Sequence, residues 1–156
     1  MMRQVAFMLL AALSVSGCAA QAPRASTPNP ADAAAPTSAG VGDLRGTGWR
    51  FIEVEGTAVP DGVIATLRLA GGRASGKAGC NAYGASWETS ADGGTHFGQP
   101  MSTKMACLEP AGAMQVERGI FDALQHAARV RREGGKLVLL DASGQPLAKL
   151  VPEGGT

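Results

Sequence analysis

Three cysteines and two histidines are the side chains of this sequence best suited to chemistry. Cys80 and Cys107 enclose a glycine-rich, polar stretch, and Cys18 follows an apolar N-terminal run. The Cys80 and Cys107 pair is compatible with a structural disulfide, a redox couple or half of a metal site. It lacks the Cys-x-x-Cys spacing of redox enzymes, and neither His96 nor His126 stands at a metal-ligand spacing from it. Because an exported chain meets an oxidising compartment, we predict a disulfide, with no metal and no cofactor.

Other arrangements that suggest catalysis are incomplete. No nucleophile-elbow motif accompanies either histidine, as a hydrolase would require. Residues 71–78 come close to a phosphate-binding loop, but Ala78 stands where a magnesium-binding hydroxyl is needed. Asn81 and Tyr83 suggest a small polar site beside Cys80, although an asparagine near glycines more often bonds backbone groups in a turn. We therefore predict a protein that is not an enzyme, with a periplasmic thiol-redox protein as an alternative.

The N-terminus has the pattern of an export signal. Residues 1–17 contain Arg3, an apolar run and small residues before Cys18. The apolar run is too short to span a bilayer, which takes roughly 20 residues. Residues 15–18 resemble the lipobox of bacterial lipoproteins, and this resemblance implies that Cys18 is lipidated and anchors the chain in a membrane. Ala19 is not the aspartate of inner-membrane retention, so we expect the outer membrane, with the domain facing the periplasm.

The segment between this signal and the folded domain has the composition of a tether. Residues 18–42 are mostly Ala, Pro, Ser, Thr and Gly, which cannot bury enough surface to fold. Without the first 17 residues, 13 basic residues balance 13 acidic ones, because Arg3 is the only charged residue removed. A neutral chain gives no electrostatic case for nucleic acid binding. Arg129, Arg131 and Arg132 are expected to form a solvated strand face.

Residues 43–152 are predicted to be a single domain, with a tail at 153–156. Short apolar and polar alternations separated by glycine-rich turns indicate about eight strands. The expected strands are 49–55, 63–69, 73–77, 85–89, 94–98, 128–133, 136–141 and 146–151. One helix is expected after Pro110. Its apolar side contains Ile120, Phe121, Leu124, Ala127 and Ala128, and its wetter side contains Glu117, Arg118, Asp122 and Gln125. The fold class is mainly β, a small antiparallel barrel-like sheet with one packed α-helix.

Two motifs in the middle of the chain point to a family. They contain Gly79, Cys80 and Asn81, followed by Thr103, Met105, Ala106 and Cys107. In this order the motifs resemble the META domain, the HslJ-like heat-shock family, over residues 44–151. The resemblance implies a barrel-like β domain with one helix, found in exported bacterial proteins linked to stress and, in some members, to resistance to antibiotics such as novobiocin. No enzymatic activity is established for that family.

The function that we expect is that of an outer-membrane lipoprotein with a structural or interaction role in the envelope, in stress response or antibiotic tolerance. The expected partners are the membrane, through Cys18, and an envelope protein, and we expect a monomer. A small-molecule or lipid binding module is the alternative, because barrel-like folds can enclose ligands. An interior filled by large side chains would argue against it. The residues expected to fill the interior are Trp49, Phe51, Leu67, Phe97 and Leu139.

Overall fold

A computed structural model describes residues 43–154 of the chain. The predicted signal peptide, the lipidation site Cys18 and the linker that ends at residue 42 lie outside the described residues, as do residues 155 and 156 of the predicted tail. Within the described range, no helix is both long enough and apolar enough to cross a bilayer.

Ten strands and one helix make up residues 43–154. In chain order they are β1 (Thr47–Val54), β2 (Thr57–Ala58), β3 (Thr66–Ala70), β4 (Arg73–Ala78), β5 (Asn81–Thr89), β6 (Thr95–Phe97), β7 (Met101–Ser102), α1 (Ala113–His126), β8 (Arg129–Glu133), β9 (Lys136–Leu140) and β10 (Pro146–Pro152). Each predicted strand has a counterpart. The largest differences are that β3 begins three residues later than predicted and β5 begins four residues earlier. The two-residue strands β2 and β7 have no predicted counterpart.

Eight of the strands form one continuous antiparallel sheet in the order β6-β5-β4-β3-β1-β10-β9-β8, with β2 added to β1 and β7 added to β5. The two ends of this sheet meet. The Val130 N–H donates to Gly93 O at 2.8 Å, and the Thr95 N–H donates to Ala128 O at 2.9 Å. The sheet is therefore a nearly closed barrel. The predicted fold class, mainly β with an antiparallel barrel-like sheet and one packed helix, is confirmed.

The first and last strands of the domain are neighbours. β1 pairs with β10 from Trp49 opposite Pro152 to Val54 opposite Ala148, and the register shifts between Phe51 and Glu53. Such a bulge bends a strand and increases its twist, which helps a short sheet to curve into a barrel. An ion pair also joins the two strands, because Lys149 Nζ lies 2.9 Å from Glu53 Oε1.

Large apolar side chains fill the interior of the barrel. The five residues predicted to converge there, Trp49, Phe51, Leu67, Phe97 and Leu139, are all buried in one hydrophobic cluster. Alternation explains this placement in β3, where Leu67 and Leu69 point inward while Arg68 is exposed. Because the interior is filled in this way, the core of the barrel resembles a packed protein interior rather than a ligand cavity.

The helix α1 packs its apolar stripe against the sheet. Ile120 and Leu124 are fully buried, as the helical spacing predicts, and α1 contacts β1, β4, β6, β9 and β10. The prediction that Glu117 lies on the wetter side is wrong, since its side chain is only 8% exposed. Ala113, Glu117, Ile120 and Leu124 follow one another at spacings of four, three and four residues. Glu117 therefore lies within the buried stripe.

The basic residues of β8 do not all form a solvated face. Arg129 and Arg131 are exposed, and Arg131 forms an ion pair with Glu133. Arg132 is half-buried instead, with its guanidinium carbon 5.1 Å from the centroid of the Trp49 ring. A guanidinium at this distance is attracted to the face of the indole. The prediction of a solvated face is therefore wrong for Arg132.

Candidate functional site

The two predicted motifs meet on one side of the barrel. Residues 102–107 run beside the start of β5 and are attached to it by Cys80 and Asn81. We call this segment, together with Cys80 and Asn81, the clasp. All of the predicted motif residues belong to the clasp, except for Gly79, which immediately precedes it.

Gly79 sets the approach of the clasp to the helix. It stands in the turn between β4 and β5 with a φ of 63°, a conformation that favours glycine. A Cβ atom at this position would lie 2.5 Å from the carbonyl oxygen of Ala113, the first residue of α1. The Gly79 N–H also donates to Ile64 O at 2.9 Å. Only glycine therefore fits between the sheet and the beginning of the helix here.

A disulfide joins Cys80 to Cys107. The two Cα atoms are 6.0 Å apart, and the residues are separated by 27 positions in sequence. Cys80 is buried and Cys107 is half-buried. Closing a loop of this length stabilises a fold by about 3.5 kcal/mol in the chain-entropy description. The covalent bond therefore fixes the far end of the clasp to the beginning of β5.

Asn81 is the centre of the polar contacts in the clasp. Its side chain is 1% exposed. Nδ2 donates to Met105 O at 3.0 Å and to Glu117 Oε2 at 2.7 Å. Oδ1 accepts from the Met105 N–H at 2.9 Å and from Thr103 Oγ1 at 2.7 Å. The amide thus uses both of its donors and both of its acceptor positions, and it bonds the backbone of Met105 as a neighbouring strand would.

Thr103 continues this pairing by one residue. Its N–H donates to Ala82 O at 3.1 Å, and its Oγ1 accepts from the Ala82 N–H at 3.2 Å. The next residues back, Ser102 and Met101, pair with Tyr83 and Gly84 as strand β7. Residues 103–107 therefore follow β7 along the start of β5, where Met105 bonds the side-chain amide of Asn81 instead of a backbone peptide.

Glu117 is the participant that the sequence reasoning missed. Its carboxylate accepts the second Asn81 donor, which connects α1 to β5 and to the clasp. The signal that could have found it is its spacing from Ile120 and Leu124, which aligns this acidic residue with the buried stripe of α1. A buried carboxylate needs a hydrogen-bond donor. Asn81 and Glu117 are 36 residues apart, however, and no local pattern identifies them as partners.

Tyr83 lies next to the clasp on β5 and is buried. Its hydroxyl donates to Thr66 O at 2.9 Å, and its ring packs edge-on against Phe121 of α1 with centroids 5.8 Å apart. Burial raises the pKa of Tyr83 far above its ordinary value. The phenol therefore stays neutral and serves as a hydrogen-bond donor, not as an acid or base near neutral pH.

The two histidines show no catalytic arrangement with the clasp. His126 is exposed at the end of α1, with Nδ1 2.8 Å from Asp122 O. His96 is exposed on β6, opposite Glu88. Across residues 43–154, no three His, Cys, Asp or Glu side chains converge as metal ligands.

The family is decided by a match over most of the chain. The family model described as the META domain matches residues 42–153, which include the whole barrel and the clasp. The chain belongs to the META domain family. The META domain is not a known enzyme family.

Solved structures share this META domain fold. An NMR structure of a protein from Burkholderia xenovorans is 28% identical, with a TM-score of 0.57, over 72% of this chain and 85% of that chain. A second NMR structure is 22% identical, with a TM-score of 0.54, over 68% of this chain and 89% of that chain, and its likeness concerns the fold alone. No protein in the curated set matches the chain.

Exposed apolar side chains lie in the clasp and near it in the chain. Met105 is 52% exposed, Leu108 is 93% exposed and Ile64, bonded through its carbonyl to Gly79, is 62% exposed. Met101 on β7 is 79% exposed but lies farther along β5, opposite Gly84.

A small cleft lies near the start of α1. It has a volume of about 100 Å³ and is lined by residues of the β1–β2 hairpin and the helix, including Val54, Glu55, Pro60, Gln115 and Gly119. Ligand sites for drug-sized molecules typically measure about 300–1,000 Å³. The cleft is therefore large enough for a few water molecules or one small group of a ligand.

Proposed function

We propose that this META domain protein is a lipid-anchored component of the bacterial outer membrane that acts without catalysis, through contacts with other parts of the cell envelope. The observation that carries this proposal is that the buried polar groups of the clasp are fully hydrogen-bonded. Its buried polar groups bond one another, while exposed apolar side chains lie in the clasp and near it in the chain. A site built in this way is suited to holding a surface in shape rather than to converting a substrate.

The anchor is supported by the N-terminal sequence. The export signal of residues 1–17 and the lipobox-like residues 15–18 are the features that direct acylation of a cysteine such as Cys18. Several acyl chains together hold a protein stably on a membrane where a single chain does not. Residues 19–42 would then serve as the tether between the lipid and the domain.

The absence of a role in catalysis is supported by the chemistry of the buried groups. Asn81 has no donor or acceptor left for a ligand, and Tyr83 stays protonated. A thiol-redox activity, the alternative, needs an accessible cysteine with a low pKa. Cys80 is buried and disulfide-bonded to Cys107, which favours the structural role.

Binding of a small molecule inside the barrel receives little support. The interior is filled by large apolar side chains, which leaves no room for a ligand in the core. The family resemblance is the basis for proposing a role in stress response or antibiotic tolerance. We propose that the protein fulfils this role by contacting another component of the envelope.

Two measurements test the proposal in cells. First, intact-mass analysis of the protein from outer-membrane fractions should give a chain that begins at an acylated Cys18. A Cys18→Ser variant should be lost from the outer-membrane fraction. A mature N-terminus at another residue, or a Cys18→Ser protein that remains in the outer-membrane fraction, would refute the anchor.

Second, photo-cross-linking should show whether contacts are made by a defined surface. A cross-linker at Lys104, in the clasp, should give a discrete adduct with a lipid or protein of the envelope. The same cross-linker at Arg131, on exposed β8, is the matched control. Equal adduct patterns from both positions would mean that the clasp surface has no special role.

A further inference from the structure

We infer that the clasp disulfide forms through a mixed disulfide between Cys107 and the Cys-x-x-Cys disulfide of a thiol oxidoreductase. Cys107 is the residue that is modified first, and Cys80 is the resolving cysteine that displaces the oxidoreductase. The proposed function uses the finished bond only as a structural element, and no step of this exchange needs a lipid at Cys18.

The two sulfur atoms of the clasp differ in access. Residues 103–108 belong to no helix or strand, and every residue from 103 to 109 is exposed except Cys107, which is half-buried. Cys80 is only 8% exposed, in the turn between β4 and β5. The rate of thiol–disulfide exchange depends on whether the reacting sulfur can be reached. An external disulfide therefore reaches Cys107 more readily than Cys80.

The surroundings of Cys80 also favour its neutral form. Its Sγ lies 3.7 Å from Met105 O, so in the reduced chain the S–H group can donate to this carbonyl. A buried sulfur beside a carbonyl oxygen is held as a thiol, because burial disfavours the charged thiolate. The thiolate is the nucleophile in exchange reactions. Cys107 is thus the first of the two residues to attack.

The clasp brings the two cysteines together without the help of the covalent bond. Asn81, which follows Cys80, bonds both the N–H and the carbonyl of Met105, two residues before Cys107. The Cα atoms of the two cysteines are 6.0 Å apart, within the usual range for a disulfide. Cys80 therefore meets a mixed disulfide at Cys107 at high effective concentration. Asn81 is a positioning residue for this second step.

The exchange is balanced in two displacements. The Cys107 thiolate, formed by loss of a proton to water, attacks one sulfur of the external disulfide, and the second cysteine of the oxidoreductase leaves and takes up a proton. Cys80 then loses its proton and attacks Cys107 Sγ. The intrachain bond forms, and the first cysteine of the oxidoreductase leaves and is protonated. The chain has lost two electrons and two protons, and the oxidoreductase has become a dithiol.

The electron acceptor has to come from outside the chain. Cys18 is the one other cysteine of the sequence, and neither Cys80 nor Cys107 belongs to a Cys-x-x-Cys motif. In compartments where disulfides persist, the disulfides of thiol oxidoreductases accept these electrons. A Cys-x-x-Cys disulfide is therefore the class of co-reactant that the exposed segment around Cys107 meets.

Glutathione disulfide is the probe for the first step. Cys80→Ser and Cys107→Ser are each combined with Cys18→Ser, so that each full chain keeps a single thiol. Intact mass follows the formation of the mixed disulfide, and circular dichroism verifies folding. We expect the chain that keeps Cys107 to react at least about tenfold faster than the chain that keeps Cys80, while in concentrated urea the two rates should agree within about twofold. Equal rates in the folded chains would overturn the inference.

A second measurement uses the oxidised chain, in which the disulfide is intact. A short pulse of reduced glutathione on the Cys18→Ser chain, quenched with acid, reverses the second displacement. Peptide mass mapping should find glutathione on Cys107 and a free thiol on Cys80. Glutathione found mainly on Cys80 would overturn the inference, whether or not the single-thiol variants fold.

Asn81→Asp tests the positioning role. In this variant the mixed disulfide at Cys107 should persist at least about fivefold longer before Cys80 displaces glutathione, while addition of glutathione to Cys107 stays within about twofold of the natural rate. Thr103→Val, at an exposed position, removes the hydroxyl that bonds Asn81 and should act in the same direction. Gln125→Ala is the control and should change neither rate. An unchanged second step in both clasp variants would refute the positioning role.

Capture in cells tests the class of co-reactant. The Cys80→Ser chain should give a reducible adduct with a Cys-x-x-Cys protein on non-reducing gels, and the Cys107→Ser chain should not. Adducts with glutathione alone would overturn the assignment to an oxidoreductase. Because all chains of the experiments in solution carry Cys18→Ser, these outcomes are independent of the anchor. A natural chain without acylation would refute the proposed function and leave the exchange at Cys107 standing.

Discussion

At the scale of single residues, Asn81 shows why an amide is needed in the clasp. Its side chain offers a carbonyl and an NH₂ group, the same pair of functions that a peptide unit offers to a neighbouring strand. It pairs with the peptide of Met105 and still has one donor for Glu117. An aspartate has the same shape but no donor, and it would place a second carboxylate beside Glu117.

Asn81→Asp is therefore expected to lower the free energy of unfolding by about 2–4 kcal/mol, because two buried acceptors lose their donor and two carboxylates meet. Urea denaturation measures this effect. Gln125→Ala, at an exposed position of α1, is the control and should change stability by less than about 0.5 kcal/mol. Adding Glu117→Gln to Asn81→Asp should recover part of the loss. Strictly additive effects of the two changes would contradict a direct contact.

The hydrogen bonds of Asp141 make the free energy of unfolding depend on pH in the acid range. Its Oδ1 accepts from the Ser143 N–H at 2.8 Å, Ser143 Oγ at 2.7 Å and the Gln145 N–H at 2.9 Å. These bonds, first of all that of the Ser143 hydroxyl, lower the pKa of Asp141 in the folded state. Folding thus favours the ionised form. The stabilisation is complete above the unfolded pKa of about 3.9 and is lost as the pH falls through the lower folded value.

Asp141→Asn should accordingly lose less stability than the natural protein between about pH 5 and pH 2. The urea midpoint, followed across this range, is the measurement. Ser143→Ala, which removes the hydroxyl donor but keeps the carboxylate, should give an intermediate slope. Identical slopes for all three proteins would show that the turn around Asp141 makes no contribution.

At the scale of elements, the helix α1 depends on a close approach to β1. A Cβ atom on Gly119 would lie 2.8 Å from Val54 Cγ1 and 3.2 Å from Glu55 Oε2. A Gly to Ala change inside a helix usually adds about 1 kcal/mol of stability. Here the strand is too near and the β-branched side chain of Val54 is stiff, so packing is expected to outweigh helix propensity.

Gly119→Ala is thus predicted to lower the free energy of unfolding by about 1–3 kcal/mol, against its intrinsic preference. Thermal or urea unfolding decides the sign. Arg118→Ala, on the exposed side of the same turn, should stay within about 0.5 kcal/mol of the natural protein. A more stable Gly119→Ala protein would mean that β1 and α1 can separate at no cost.

At the scale of the whole molecule, the filled interior supplies most of the burial. Leu67 is fully buried, whereas Ile64, three residues earlier, is mostly exposed. Leu67→Ala should cost about 2–5 kcal/mol, because it removes contacts and leaves a cavity. Ile64→Ala should cost less than about 0.5 kcal/mol. Equal effects in denaturant titrations of the two variants would contradict a packed interior.

Local sequence patterns predicted the positions of the strands and the helix, but they did not predict which side chains distant in sequence contact each other. Alternation identified β1 and β3, and glycine-rich turns located the last three strands. The pairing of Asn81 with Glu117 was missed because two polar residues far apart in sequence leave no joint pattern. The contact between Arg132 and Trp49 was missed for the same reason. The strands β2 and β7 are too short to show a period.

The pairing of β1 with β10 also sets the order in which this domain can be completed. Phe51 faces Leu150, a residue made almost a hundred positions later in synthesis. Until β10 exists, the place between β1 and β9 is empty, and the sheet has a gap there. The domain can therefore complete its sheet only after β10 has been synthesised, and a chain that ends before Pro146 leaves the facing edges of β1 and β9 without their partner strand.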